Sequence, residues 1–180
     1  MKKVLIVSTS LRNGSNSEIL AKEAYRGALD VGNEVELVSL KDKSVNFCKG
    51  CLACHHTGKC IIKDNMNELM LKVKEAEVVV FATPIYYYEM SGMMKTFLDR
   101  CNPLYGKEDN KFKEFYLIAT CADTDKSALD RAINGLEGWI SCFEGCSFKK
   151  AIYGVGINDA NGASKNNEVM QEAYLLGTKI

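Results

Sequence analysis

The sequence carries no net charge, because 23 basic residues balance 23 acidic ones. No global field therefore draws the chain to nucleic acid or to an anionic membrane. It has no apolar run of transmembrane length. Val4–Val7 is too short for the apolar part of a secretory signal, and no cleavage site follows it, so the expected compartment is the cytoplasm. No internal repeat, low-complexity run or domain boundary is visible, and 180 residues suit one domain, 1–180, with a full core. Neither G-x-G-x-x-G nor G-x-x-x-x-G-K-[ST] occurs, which excludes the dinucleotide fingerprint and the Walker loop.

Cysteine, by contrast, is abundant at eight residues, and four of the eight fall within Cys48–Cys60. A disulfide framework is not clustered in this way, and a reducing compartment favours metal or redox roles for such thiols. Cys48-x2-Cys51-x2-Cys54-x5-Cys60 can wrap one small inorganic core, as in a cubane of four irons and four sulfides. Zinc more often uses two separated pairs. His55 and His56, the only His of the chain, lie in the same loop as substitute ligands or as exposed side chains. Free, partly buried thiols remain the plain alternative. Cys101, Cys121, Cys142 and Cys146 are scattered, and a buried structural role is expected for each.

Apolar runs and turn residues divide the chain into strands and helices. Val4–Ser8 is continuous in the manner of a buried parallel strand. A helix is expected over Asn16–Val31, ended by Gly32, and a half-exposed strand over Glu34–Leu40. The Cys-rich insertion occupies about 45–62. A helix capped at Asp64–Met66 then runs to about Ala76, before a central strand over Glu77–Ala82. An aromatic loop, Ile85–Tyr88, precedes a helix over Ser91–Arg100. The expected remainder is a strand at Phe115–Thr120, a helix at Ser127–Phe143, a strand at Phe148–Val155, a mobile loop at Gly154–Lys165 and a helix at Asn166–Leu176. This alternation predicts a three-layer α/β fold with a five-stranded, doubly wound parallel sheet of flavodoxin-like order 2-1-3-4-5.

In such a sheet, ligands sit beyond the carboxyl ends of the strands, between strands 1 and 3. The loops placed there are Ser8–Ser17, Thr83–Met90 and Thr120–Asp125. The first is rich in hydroxyls and opens a helix. Free amides, the helix dipole and Arg12 make it an anion site suited to the terminal phosphate of a mononucleotide such as FMN. Its plain alternative is an ordinary turn with a Ser/Asn cap. Three consecutive Tyr, 86–88, cannot all enter a core, so they suit an isoalloxazine ring, a dimer contact, or both.

Together these loops resemble the flavodoxin-like NADPH-dependent FMN reductase family, and within it the iron–sulfur flavoproteins. The resemblance rests on Ser8-Thr9-Ser10-Leu11-Arg12-x-Gly14-x-Asn16-Ser17, on Cys48–Cys60 followed by Asp64-x-Met66, and on Thr83-Pro84-Ile85-Tyr86-Tyr87 running into Ser91-Gly92-x-x-Lys95-x-x-x-Asp99-Arg100. It implies non-covalent FMN with its phosphate on the Ser10, Arg12, Gly14, Ser15, Asn16 and Ser17 loop. The ring would lie against Pro84, Ile85, Tyr86 and Tyr87 and the Thr120, Cys121 and Ala122 loop. It also implies homodimers or homotetramers, NAD(P)H as co-substrate, a possible [4Fe-4S] cluster on Cys48, Cys51, Cys54 and Cys60, and a small-molecule or protein electron acceptor. The expected function is an FMN-binding oxidoreductase, either a flavin- or quinone-type reductase or an electron carrier. No side chain in these loops stands out as a catalytic acid or base. The alternative from a different class is a non-catalytic flavin protein or redox sensor whose Cys loop responds to oxidation.

Overall fold

The computed structural model describes residues 1–180. Its strands are β1 (Lys3–Ser8), β2 (Glu34–Ser39), β3 (Val78–Tyr86), β4 (Glu89–Met90), β5 (Glu114–Thr120) and β6 (Ser147–Gly154). Its helices are α1 (Asn16–Asp30), α2 (Ala53–Thr57), α3 (Met66–Glu75), α4 (Gly92–Arg100), α5 (Asp130–Ile140) and α6 (Asn167–Thr178). Five strands run parallel in the order β2-β1-β3-β5-β6, which is the expected 2-1-3-4-5 winding. A sixth strand, the two-residue β4, pairs antiparallel with the end of β3.

Residues alternate between the two faces of the sheet. In β1, Leu5 and Val7 join the larger core under α3, α4 and α5, while Val4 and Ile6 join the smaller core under α1 and α6. All four are fully buried, which is why the strand reads as an unbroken apolar run. β2 lies at the sheet edge and alternates instead between exposed and half-buried residues. Phe81, Phe115 and Trp139 stack and cross edge to face in the larger core, with ring centroids 5.5–6.4 Å apart.

The smaller core depends on two glycines. A Cβ on Gly27 would lie 2.2 Å from the Tyr174 carbonyl oxygen, and one on Gly177 2.1 Å from that of Ala24. Their bare backbones let α1 and α6 approach closely. Gly177 therefore sits inside α6, at the contact, with Asn166 as the N-cap accepting from the Val169 amide at 3.2 Å. Gly177→Ala is expected to destabilise the protein by about 1–3 kcal/mol through overpacking, despite alanine's better helix propensity. A lower urea midpoint at unchanged slope checks this.

Four local expectations need correction. Ile85–Tyr88 is not a loop, because β3 continues to Tyr86 and turns tightly into β4. The helix expected over Ser127–Phe143 begins as a 3-10 turn, Lys126–Leu129, and α5 ends at Ile140. The Cys segment contains the short helix α2. Gly154–Lys165 is tied down: Ala163 is fully buried, and the Asn161 amide donates to the Gly14 carbonyl at 2.9 Å.

Candidate functional site

The parallel register places the carboxyl ends of β1, β3 and β5 side by side, with Ser8 opposite Ala82 and Pro84 opposite Thr120. The loops leaving them surround one cleft. Ser10, Arg12, Ser15 and Asn16 line one side. Pro84, Ile85 and Tyr86 line the second, and Thr120, Cys121 and Ala122 the third. Ile157 and Asn158, from the loop after β6, complete the wall. An adjoining cleft shares Ser10, Arg12, Pro84 and Tyr86 and reaches Ser91–Met93 at the start of α4.

The start of α1 has free donors. Ser15 caps the helix, its Oγ accepting from the Glu18 amide at 3.3 Å, and its carbonyl takes the Ile19 amide. The amides of Asn16 and Ser17 belong to the first turn and have no carbonyl to bond. The hydroxyls of Ser10, Ser15 and Ser17 are buried. Arg12 Nη1 donates to the Asn158 carbonyl at 2.8 Å, and its other N–H groups have no protein partner. Beneath the loop, the Ser91 hydroxyl lies 3.2 Å from Thr9 Oγ1 and 3.1 Å from Thr83 Oγ1, and it caps α4 by accepting from the Met94 amide. This buried hydroxyl cluster joins the ends of β1 and β3 to the start of α4.

Some expected site side chains are engaged elsewhere. Asn16 Nδ2 donates to the Asp159 carbonyl at 2.9 Å, and its Oδ1 accepts from the Ala163 amide at 3.0 Å, so the side chain fastens α1 to the loop after β6. The Ser17 hydroxyl lies 3.2 Å from that of Ser15, outside the cleft lining. Gly14 also lies outside it. Its φ is +67°, and a Cβ there would meet the Asn161 side chain at 2.8 Å. Tyr87 is 97 % exposed at the hairpin tip. Burial and the Asp123 charge push the Cys121 thiol up, which keeps it protonated in the cleft wall.

The hairpin tip is strained. Tyr87 and Tyr88 have φ of 51° and 65°, the left-handed conformation that a two-residue turn of this hand demands and that asparagine and glycine adopt most readily. Only the Tyr88 hydroxyl has a partner, Asp123 Oδ2 at 3.3 Å. Non-glycine residues in this region cost roughly 1–2 kcal/mol each, and such strain collects at functional sites. Replacing Tyr87 by Asn and Tyr88 by Gly is expected to raise stability by about 1–3 kcal/mol. Urea unfolding at unchanged slope reads the gain.

A second cluster lies at the other end of α4. Cys48, Cys51, Cys54 and Cys60 line one small pocket with Arg100 and Asn102. Asn102 Nδ2 lies 3.4 Å from Cys54 Sγ, and the Gly50 amide 3.5 Å from Cys48 Sγ. His55 and His56 are exposed and do not line the pocket. No three His, Cys, Asp or Glu side chains come together to hold one metal ion. That argues against zinc, which gathers its ligands around a single centre. A cubane core needs no such convergence, since each thiolate binds its own iron. Four soft sulfur donors around one pocket fit that group.

Arg100 is buried in the pocket wall. Its Nη1 and Nη2 bond Asp64 Oδ2 and Oδ1 at 2.7 and 2.9 Å, both side chains being 1 % exposed. Burial pushes the Asp64 carboxyl up, but hydrogen bonds from Arg100 and Asn46 overcome it and hold it well below the usual carboxylate range.

Residues 2–152 match the NADPH-dependent FMN reductase family. The chain belongs to that family. An iron–sulfur flavoprotein of Methanocaldococcus jannaschii is 31% identical to this reductase-family chain over 99% of its length and 95% of the relative's. One from Archaeoglobus fulgidus is 39% identical over 59% of the chain, but the match spans 47% of that relative. The solved azoreductase of Bacillus anthracis shares the fold with a TM-score of 0.75, at 16% identity and complete coverage of both chains. With this membership and the cleft at the switch point, the protein is an FMN-binding oxidoreductase. No helix is long and apolar enough to cross a membrane.

Sequence reasoning missed the loop after β6, which adds Ile157 and Asn158 to the carboxyl-edge cleft. The signal was available, since that loop also leaves a carboxyl strand end. It also missed Thr9 and Ser91 as the buried support; Arg100, read as structural, forms the buried ion pair with Asp64. Of the scattered cysteines, Cys101 and Cys121 are buried as expected. Cys142 is exposed and Cys146 half-buried, because α5 ends before them and they lie in the turn that follows.

Proposed function

We propose that FMN occupies the carboxyl-edge cleft with its phosphate on the Ser10–Ser17 loop and its ring between Pro84–Tyr87 and Thr120–Ala122. NAD(P)H is the hydride donor. The observation that carries this reading is the convergence, in one cleft, of the free first-turn amides of α1, the unpaired N–H groups of Arg12 and the flat Pro84–Tyr86 wall. Bound FMN supplies a two-electron acceptor that can release its electrons singly. The chain's own residues bind and orient. Arg12 and the loop amides hold the phosphate, the Thr9–Thr83–Ser91 hydroxyl cluster fixes the two loops relative to each other, and Tyr86 shields one flank of the cleft. Asn16 acts by holding the 157–163 loop closed over the phosphate end.

In the same reading, Cys48, Cys51, Cys54 and Cys60 hold a [4Fe-4S] cluster. α4 supports this coupling, because its first residues border the flavin cleft and its last residue borders the cysteine pocket. Its nine residues span about 13 Å. The exposed Tyr86–Tyr88 hairpin and Leu11 make an apolar patch that suits a second copy of the chain. Anaerobic purification tests the assignment. The expected product is yellow and dimeric by light scattering, contains FMN, iron and acid-labile sulfide, and is bleached by NADPH or NADH. A colourless protein that does not take up added FMN would sink the flavin reading. Full flavin without iron or sulfide would sink the cluster.

A further inference from the structure

The cysteine pocket contains one buried donor that nothing else in the fold uses. Arg100 is the last residue of α4 and is 1 % exposed. Two of its three guanidinium nitrogens are accounted for. Nη1 serves Asp64 and the Asn46 carbonyl, each at 2.7 Å, and Nη2 serves Asp64 at 2.9 Å. Those bonds explain how the arginine pins the 46–64 segment to α4. They do not explain Nε, whose N–H is buried without any partner. Arginine does not deprotonate in proteins, so the proton stays and requires an acceptor. Buried donors are rarely left unpaired, because the lost hydration is not regained.

The acceptor at hand is sulfur. Arg100 lines the same pocket as Cys48, Cys51, Cys54 and Cys60. The other arginines, Arg12, Arg26 and Arg131, do not line the pocket. Asp64 takes the fork of Nη atoms and neutralises the charge at that end. This leaves Nε–H as a directed donor on a rigid support. Asn46 and Asp64 flank the cysteine segment on its two sides in sequence, so the same contacts that hold Arg100 also close the loop around it.

We infer that Arg100 is a positioning residue of the thiolate-bound group, its unpaired Nε–H donating to a sulfur of that group and setting the reduction potential of the group held there. The inference rests on the reading of the four cysteines as cluster ligands. Hydrogen bonds to the sulfurs and local net charge are the levers by which a protein tunes such a group. A donor to one of the sulfurs stabilises the more negative, reduced form and so raises the potential. Arg100→Lys keeps the charge but loses the Nε–H held beside a separate fork.

The test uses full-length protein purified without oxygen. In the wild type, with isotopically labelled arginine nitrogen, pulsed electron paramagnetic resonance of the reduced cluster should show one weakly coupled arginine nitrogen. An exchangeable proton should appear with it. Arg100→Lys should retain iron, sulfide and FMN while losing both couplings. Its midpoint potential should become more negative by about a tenfold change in the oxidised-to-reduced ratio, about 59 mV for one electron. An iron-loaded wild type with no arginine coupling overturns the inference without need of any variant. So does a loaded Arg100→Lys protein with unchanged potential. Wild-type protein lacking iron and sulfide overturns the underlying cluster reading instead, and the two failures are told apart by metal content.

Discussion

Asp64→Ala is expected to lower the free energy of unfolding by about 3–5 kcal/mol, the usual cost of stranding one member of a buried ion pair. Asp64 and Arg100 are both 1 % exposed and bonded through two parallel contacts. Removing the carboxylate leaves a guanidinium that cannot discharge itself and has no path to water. Asp64 also accepts from the backbone and side-chain amides of Asn46 at 2.9 and 3.0 Å and from the Met66 amide at 3.1 Å, so the start of the cysteine segment and the start of α3 loosen together. Replacing both partners, Asp64→Leu with Arg100→Met, should recover much of the loss, because two apolar side chains of similar bulk carry no desolvation cost. Urea unfolding of the three variants checks the pattern. A cost below about 1 kcal/mol for Asp64→Ala would place the pair in the class of weak surface bridges.

The same pair gives the protein an acid limit. The Asp64 carboxyl is depressed far below its ordinary value of 3.8 in the folded state. The unfolded chain therefore binds more protons than the native one through the acid range, and stability rises with pH there. The contribution is complete above the ordinary carboxylate range, and it is lost as pH falls from about 4 toward the depressed folded value. In Asp64→Ala the acid limb of the stability profile should be correspondingly flatter. An equally steep limb in the variant would assign it to other carboxylates.

Arg12→Ala is expected to weaken FMN by roughly tenfold to a hundredfold, or about 1.5–3 kcal/mol, through loss of a charge-assisted contact to the phosphate. Riboflavin, which lacks the phosphate, should bind wild type and variant equally. Arg12→Lys keeps the charge but not the fork and should fall between them. Flavin fluorescence titrations with both ligands measure this directly. Parallel losses for FMN and riboflavin would mean that Arg12 acts through the Asn158 carbonyl, shaping the loop rather than meeting the phosphate.

Much of this architecture is legible without coordinates. The unbroken Val4–Val7 and Val78–Phe81 runs mark strands buried on both faces, and the handedness of β-α-β connections then restricts their order. That order alone brings the carboxyl ends of the strands at Val4–Ser8, Glu77–Ala82 and Phe115–Thr120 to one edge. The Tyr87–Tyr88 turn was not legible, because two bulky residues in left-handed conformation run against local preference and are held there by the pairing of Tyr86 with Glu89. The end of α5 at Ile140 was equally hidden, since nothing in the local pattern separates Ser141–Phe143 from the helix before it.

The sequence by itself determined the sheet, the switch point and the three loops around the carboxyl-edge cleft. Local periodicity and chain handedness act over a few residues and are written in the order of side chains. The tertiary structure alone decided which polar atoms in those loops are free to bind. Asn16 is held by residues 143 and 147 positions away, Arg12 by one 146 away, and Arg100 by one 36 away. A hydrogen-bond donor is satisfied by whatever packing brings beside it, and no pattern along the chain records that. The Nε–H of Arg100, buried and unpaired in the wall of the cysteine pocket, exists only as a product of that packing.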